Sequence, residues 1–336
     1  MVMSAGLNLS DGGGIVRLTR RVLFGTFIIE GTGAVLLSCR FVPHYGFPKG
    51  ITMGVFHAVS AFCNAGFDLM GTPDDPFCSL VHYAEDPLVS LTIMALIVLG
   101  GLGFFVWSDV WDKHSFCRLR LHTKIVLTAT AGLLLFGFGW TLLFEWSNPA
   151  TLGAFDTPHK LLAAAFESVT LRTAGFNTID LGALTGPSQA VSCLLMFIGG
   201  SPGSTAGGIK TVTAAVLVLT AISAFCGRTT VSAFGRTIAP RSIMNAVTLL
   251  MAGGVLCLVG ACAIAGIEDA PFHQCLFEAV SAFGTVGVSM GLTPTLAAAS
   301  RVILIVMMYM GRVGVLTLGV AVFMRRREPP RLKYPD

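Results

Sequence analysis

Phe56-His-Ala-Val-Ser-Ala-Phe-Cys-Asn-Ala-Gly-Phe67 returns twice along the chain, as Phe166-Glu-Ser-Val-Thr-Leu-Arg-Thr-Ala-Gly-Phe176 and as Phe277-Glu-Ala-Val-Ser-Ala-Phe-Gly-Thr-Val-Gly-Val288. The copies recur about 110 residues apart, which marks an internally repeated architecture. The second is one residue shorter between its Phe and its turn, so the symmetry is approximate. Each copy is an apolar run of about a dozen residues ending in a small-residue turn, and as a helix it reaches only about 18 Å. A hydrocarbon core is about 30 Å thick. A helix that enters a membrane and stops leaves polar backbone at depth, which is tolerated only where it lines a watery path or is buried in protein. Rings of backbone carbonyls are how a protein strips and holds a cation.

Composition agrees with a membrane setting. Of 336 residues, 54% are hydrophobic and only 12% charged, with a mean hydropathy of +0.76; soluble domains carry roughly twice that charged fraction. Apolar runs long enough to span fall at residues 17–37, 88–110, 124–146, 188–225, 242–266 and 301–324. Six spans fit, the fourth long enough to need a break. Basic residues cluster at Arg17, Arg20 and Arg21, at Lys113, Arg118, Arg120 and Lys124, at Arg228, Arg236 and Arg241, and at Arg325, Arg326 and Arg327. The opposite loops carry Asp74, Asp75, Glu85 and Asp86, then Glu145 and Asp156, then Glu268 and Asp269. The positive-inside rule therefore predicts both termini in the cytoplasm, with each short helix dipping in from outside. The net charge of +4 reflects this topology and gives no ground for a nucleic-acid partner.

The nine cysteines show no CxxC or zinc spacing and read as small apolar packing residues. The polar, glycine-rich start has no apolar core of a cleavable signal peptide. Each repeat reads as outer span, short re-entrant helix, glycine turn and second span, with bounds at 1–112, 113–236 and 237–336. The re-entrant helices are expected at 50–62, 159–171 and 272–283. The fourth apolar run is interrupted by Gly199, Gly200, Ser201, Pro202, Gly203, Ser204, Thr205, Ala206, Gly207 and Gly208. Pro202 removes a backbone donor, and each glycine costs about 1 kcal/mol against alanine in a helix, so the helix must open there. A loop at that depth would form a constriction.

At these residues the chain resembles the Trk/Ktr/HKT superfamily of potassium transporters, most closely the membrane subunit of the bacterial Ktr system. The likeness rests on residues 56–67, on Arg-Thr-Ala-Gly-Phe-Asn at 172–177, on Met-Phe-Ile-Gly-Gly-Ser-Pro-Gly-Ser-Thr-Ala-Gly-Gly-Ile-Lys-Thr at 196–211 and on residues 277–294. It implies an all-α polytopic membrane protein of pseudo-fourfold, potassium-channel-like design, whose membrane–pore–membrane repeats surround one pore. It also implies a selectivity filter at Asn64, Ala65, Gly66 and Phe67, at Thr173, Ala174, Gly175 and Phe176, and at Thr285, Val286, Gly287 and Val288, with potassium held at their carbonyls. The ten-residue loop becomes an intramembrane gate, contacted by Arg312 on the last span. The resemblance further implies a homodimer on a cytosolic nucleotide-binding regulatory subunit, in contact with membrane lipid. Potassium is the cargo, sodium a candidate activator, and no organic cofactor is expected. The family has four repeats and a longer C-terminal tail, whereas this chain shows three repeats, matching the second to fourth. A gene fragment or a misassigned start is the simplest account.

Single residues carry blander readings too. The three glycines could serve close helix packing, but recurrence after three short helices favours a turn conformation closed to most side chains. Glu167, Glu278 and the equivalent His57 suit bracing of the turn by hydrogen bonds better than direct ion binding. Arg312, far from both ends of its span, is favoured over Lys210 as a gate contact. Residues 203–211 imitate a phosphate-binding loop, yet Ile209 separates Gly208 from Lys210 and no strand precedes it, against an ATPase. No catalytic motif of an intramembrane enzyme appears. Besides a transporter, a non-conducting remnant or regulatory membrane subunit fits the three repeats, and a carrier of larger solutes fits broken helices but not such uniform turns.

Overall fold

The computed structural model describes residues 12–73 and 75–314. Asp74, residues 315–324 of the last expected span, the cluster Arg325, Arg326 and Arg327, and the tail at 333–336 lie outside the described residues.

Three times the chain forms a long or bent span, a short helix and a second span. The first set is α1 (Gly12–Tyr45), α2 (Phe47–Phe62) and α3 (Pro87–Leu102), followed by α4 (Phe104–Lys113). The second is α5 (Leu121–Glu145), α6 (Thr157–Thr170) and α7 (Gly186–Phe197), followed by α8 (Thr211–Phe225). The third is α9 (Pro240–Ile267), α10 (Phe272–Gly284) and α11 (Ala298–Val313). At 1.5 Å per residue, α2, α6 and α10 reach about 20–24 Å, still short of a bilayer core. Their starts are fixed locally: Pro48, Pro158 and Pro271 stand at or before the first turn, where a missing N–H costs nothing. The Asp156 carboxylate caps α6 through the His159 N–H.

Three described helices are long and apolar enough to cross a membrane, at Thr19–Tyr45, Leu121–Glu145 and Pro240–Ile267. The span expected at 88–110 is instead two helices, α3 and α4, bent by 91°. The break is at Gly103, with φ +88, where a methyl group would sit 2.8 Å from the Pro202 carbonyl oxygen. Apolarity alone does not reveal such a bend, because its cause is a backbone from the next repeat. Asp109 on α4 then ties the bend to the second repeat: it accepts from the Arg120 N–H (2.8 Å) and the Thr123 hydroxyl (2.7 Å), and pairs with Lys113 (2.9 Å). The expected break in 188–225 is present between α7 and α8. A two-residue antiparallel hairpin, Ser232–Ala233 with Arg236–Thr237, lies in the loop before α9.

The core is built around the short helices. Phe62, Phe166 and Phe277 are each at most 1% exposed. One apolar cluster joins α2 and α3 to α6, with Phe166 and Phe176 among its members. A second joins α6 and α7 to α10 and α11. The outward faces of α1, α5 and α9 keep large apolar side chains uncovered, such as Phe27 (72%) and Leu143 (72%), as lipid-facing helices do.

Candidate ion-conduction site

The three turns that end α2, α6 and α10 share one backbone. Asn64, Thr173 and Thr285 have φ of +51, +71 and +51, and two residues later Gly66, Gly175 and Gly287 have φ of +72, +94 and +94. Two positive-φ residues, two places apart, turn the chain at the end of each helix. The non-glycine positions carry Asn or Thr, and Asn is a residue that tolerates this region.

Each turn is stapled to its helix at two points. The N–H groups of Ala65, Ala174 and Val286 donate to the carbonyls of Ser60 (2.9 Å), Thr170 (3.0 Å) and Ser281 (2.9 Å). The hydroxyls of those three residues reach forward: Ser60 to the Phe67 carbonyl (2.7 Å), Ser281 to the Val288 carbonyl (2.6 Å), and Thr170 to the Phe176 carbonyl. Sequence reasoning passed over these hydroxyls, although Val-Ser, Val-Thr and Val-Ser stand at matching places of the repeated motif. The staples occupy the carbonyls of Phe67, Phe176 and Val288. Among the described residues no hydrogen bond reaches the carbonyls of Ala65, Gly66, Ala174, Gly175, Val286 or Gly287. Buried backbone carbonyls nearly always find a partner, and Ala174 and Val286 are at most 1% exposed. Such a set suits a dehydrated cation, and each turn stands at the partly negative C-terminal end of its helix, α2, α6 or α10.

The turns pack side by side. A methyl group on Gly66 would lie 2.5 Å from the Ala174 carbonyl oxygen, and one on Gly175 would lie 2.5 Å from that of Val286. The Asn64 amide also donates to the Arg172 carbonyl and the Thr173 hydroxyl, both at 3.4 Å. The second turn is thus the middle of an arc. Its ends are less covered: Gly287 is exposed and Phe67 is 70% exposed, while Phe176 and Val288 are buried.

Behind each turn, the residue one place after the leading Phe has the expected bracing role in two copies of three. Glu278 accepts from the Ser289 hydroxyl (2.5 Å), the Met290 N–H (3.1 Å) and the Thr293 hydroxyl (2.5 Å). His57 donates through Nδ1 to the Met53 carbonyl (2.7 Å) and accepts at Nε2 from the Leu69 N–H (3.3 Å). Glu167 breaks the pattern: it is 1% exposed, and neither its oxygens nor the nearby-in-sequence Thr178 hydroxyl has a hydrogen-bond partner. Glu278→Ala leaves three donors without their acceptor and is expected to cost about 2–3 kcal/mol, with Glu278→Gln costing less. Thermal unfolding of the detergent-solubilised protein measures this; equal midpoints for parent and alanine variant would remove the brace.

The glycine-rich loop, residues 199–208, lies against all three turns. Its neck is closed by a bridge between Ile198 and Ile209, with the Ile209 N–H donating to the Phe197 carbonyl (3.1 Å). The Thr205 hydroxyl donates to the Phe62 carbonyl (3.2 Å) and the Asn64 side-chain oxygen (3.1 Å). Gly199 stands against the Thr173 methyl, and Gly207 against Thr285. The break after α3 receives the loop: Ser201 N–H donates to Gly101 (3.0 Å), Thr205 N–H to Gly100 (3.4 Å), and Phe104 N–H to Gly203 (3.2 Å). Three cations hold its carbonyls. Arg312 donates to Thr205, Lys210 to Ala206 (2.6 Å), and Arg172 to Gly199 (3.2 Å) as well as to the Thr211 hydroxyl (2.9 Å). Lys210 therefore touches the loop as Arg312 does. Arg172, 7% exposed, was not singled out from sequence, although a charge at the end of an apolar helix is such a signal.

The sequence profile of the TrkH family, described as cation transport protein, matches residues 10–328. The chain is 39% identical over 341 residues to the potassium/sodium uptake protein NtpJ of Enterococcus hirae, covering 100% of this chain and 74% of that protein. It is also 39% identical over 336 residues to the Ktr system potassium uptake protein B of Bacillus subtilis, with the same coverage. In fold it is similar to the crystal structure of the potassium transporter TrkH from Vibrio parahaemolyticus, with a TM-score of 0.71 at 16% identity, over 94% of this chain and 66% of that one. Repeated short helices, apolar spans, profile and relatives agree: the chain is an all-α polytopic membrane protein, not an enzyme, and belongs to the TrkH family of cation transport proteins.

Proposed function

We propose that the chain conducts potassium inward across the cell membrane as the pore subunit of a Ktr-type uptake system. The observation that carries this reading is the arc of backbone carbonyls at 65–66, 174–175 and 286–287, unpaired while their neighbours are stapled back. Relatives named for potassium uptake at 39% identity support the cargo. Residues 64–67, 173–176 and 285–288 act as filter, each within one pore repeat, at 1–112, 113–236 and 237–336. Residues 199–208 act as the gate, with Arg312, Lys210 and Arg172 neutralised by its carbonyls so that they do not repel the passing ion. The driving force is the membrane potential, worth about 2.3 kcal/mol per charge per 100 mV. The basic loops face the cytoplasm with both termini, and there a nucleotide-binding regulatory subunit contacts a homodimer of pore chains. Sodium serves as activator.

Removing residues 201–206 tests the gate. The Ile198–Ile209 neck can still close over the shortened loop, so α7 and α8 stay joined while the obstruction is withdrawn. Rubidium uptake by potassium-uptake-deficient cells, per amount of membrane protein, is expected to rise about tenfold, a shift of about 1.4 kcal/mol in the open state. Lower flux from a variant present at normal amount means the loop is a permeation site or a joint. A second reading, a chain that does not conduct by itself, draws on the uncovered ends of the arc. It predicts no flux from parent and deletion variant alike.

A further inference from the structure

Between the first turn and α3 the chain gathers three side chains of a different chemistry. One ligand atom each of Asp75, Cys78 and His82 lies within 4.8 Å of the other two. Local backbone brings them there. The Thr72 N–H donates to the Asp75 carbonyl and the Asp75 N–H to the Thr72 hydroxyl, both at 3.0 Å, closing a tight turn. The Val81 N–H then donates to the Cys78 carbonyl (3.1 Å), starting the 3-10 turn Val81–Tyr83 that carries His82. Cys78 is 3% exposed and its thiol donates to the Met70 carbonyl (3.3 Å), while Asp75 and His82 face solvent. The sulfur forms a floor, and the other two ligands form an open rim.

We propose that Asp75, Cys78 and His82 bind a zinc ion. Thiolate, imidazole and carboxylate are the donors zinc takes, at about 2.0–2.3 Å, whereas alkali, magnesium and calcium ions prefer all-oxygen sets. The site is therefore distinct from the carbonyl arc and its cargo. Tetrahedral bonds of that length separate ligands by about 3.3–3.8 Å, so the rim must draw in by about 1 Å, and water fills the fourth, solvent-facing position. As the sulfur–zinc bond forms, the thiol proton passes to solvent and its hydrogen bond to Met70 is lost. The ligands bracket Ser79 and Leu80, which hold the segment just past the second turn: the Leu80 N–H donates to the Asn177 carbonyl (3.0 Å), and the Asn177 N–H to the Ser79 hydroxyl (3.2 Å). Bound zinc would fix that segment beside Phe176.

Binding is tested on the full chain purified in detergent, with cobalt(II) as the spectroscopic probe and zinc as competitor. One cobalt per chain is expected, with a near-ultraviolet thiolate-to-cobalt band that zinc abolishes. Cys78→Ser should lose the band, and His82→Gln and Asp75→Asn should each weaken binding at least about tenfold. Cys117→Ser, an exposed thiol elsewhere, should change nothing. His82 and Asp75 are exposed, so these two variants keep the test valid if Cys78→Ser does not fold. Absence of the band in the parent, its survival in Cys78→Ser, or parental affinity in both His82→Gln and Asp75→Asn overturns the site. None of these readouts needs transport, so the outcome is independent of the proposed conduction.

Discussion

Gly175→Ser is expected to reduce the preference for potassium over sodium at least about tenfold, a loss of about 1.4 kcal/mol of discrimination, with Gly66→Ser close behind. Two effects add at Gly175. Its φ of +94 lies where L-residues carry a strain of about 1–3 kcal/mol. Its new side chain would also start 2.5 Å from the Val286 carbonyl oxygen and 3.0 Å from Gly66, so the carbonyl must swing out of the arc. Gly66 meets the Ala174 carbonyl at 2.5 Å with φ +72. Gly287 carries the same φ as Gly175, but its nearest neighbour is Gly175 Cα at 3.6 Å. Gly287→Ser thus has strain without collision and should have the smallest effect of the three. Rubidium and sodium uptake in deficient cells, normalised to protein in the membrane, measures this. Unchanged selectivity in both Gly66→Ser and Gly175→Ser removes these turns as a filter, and a loss of protein alone would make them packing glycines.

This ordering was not visible in the sequence, where the three glycines are interchangeable. What the repeats did disclose was the short helices and the turns, because a glycine after a dozen apolar residues is a local feature that recurs. The loop at 199–208 was legible for the same reason, since proline and five glycines cannot continue a helix. The bend at Gly103 was not, because residues 88–110 read as one mainly apolar run and the close neighbour of the bend, the Pro202 carbonyl, belongs to another repeat. Gly100, Gly101 and Gly103 were its only local trace. The first long helix runs on to Tyr45, beyond the apolar limit at Leu37, and Arg40 in that extension pairs with Asp86 at the start of α3. Asp75, Cys78 and His82 are brought together by two tight turns, which spacing does not encode.

Arg312→Gln is expected to raise basal transport about tenfold when no regulatory subunit is present. Gly311 presses against the Phe283 carbonyl at the end of α10, so Arg312 at the last turn of α11 is held at a fixed height and its guanidinium reaches Thr205. That carbonyl sits between the Thr205 hydroxyl, bound to Phe62 and Asn64, and Ala206, bound by Lys210. Arg312 thus adds a charged donor to the part of the loop that touches the first turn. A charge-assisted bond of this kind is worth about 1.5–3 kcal/mol, and about 1.4 kcal/mol shifts a two-state equilibrium tenfold. Arg312→Lys should restore closure only in part, since an ammonium lacks the planar fork of donors. Lys210 and Arg172 hold neighbouring carbonyls and keep the variant loop ordered, so the protein should still accumulate in the membrane. Combined with removal of residues 201–206, the substitution should add nothing, because its acceptor is gone. Rubidium uptake in deficient cells reads both variants: parental flux in Arg312→Gln, or additive gains in the double variant, would make Arg312 a packing or topology residue with no part in closing the loop.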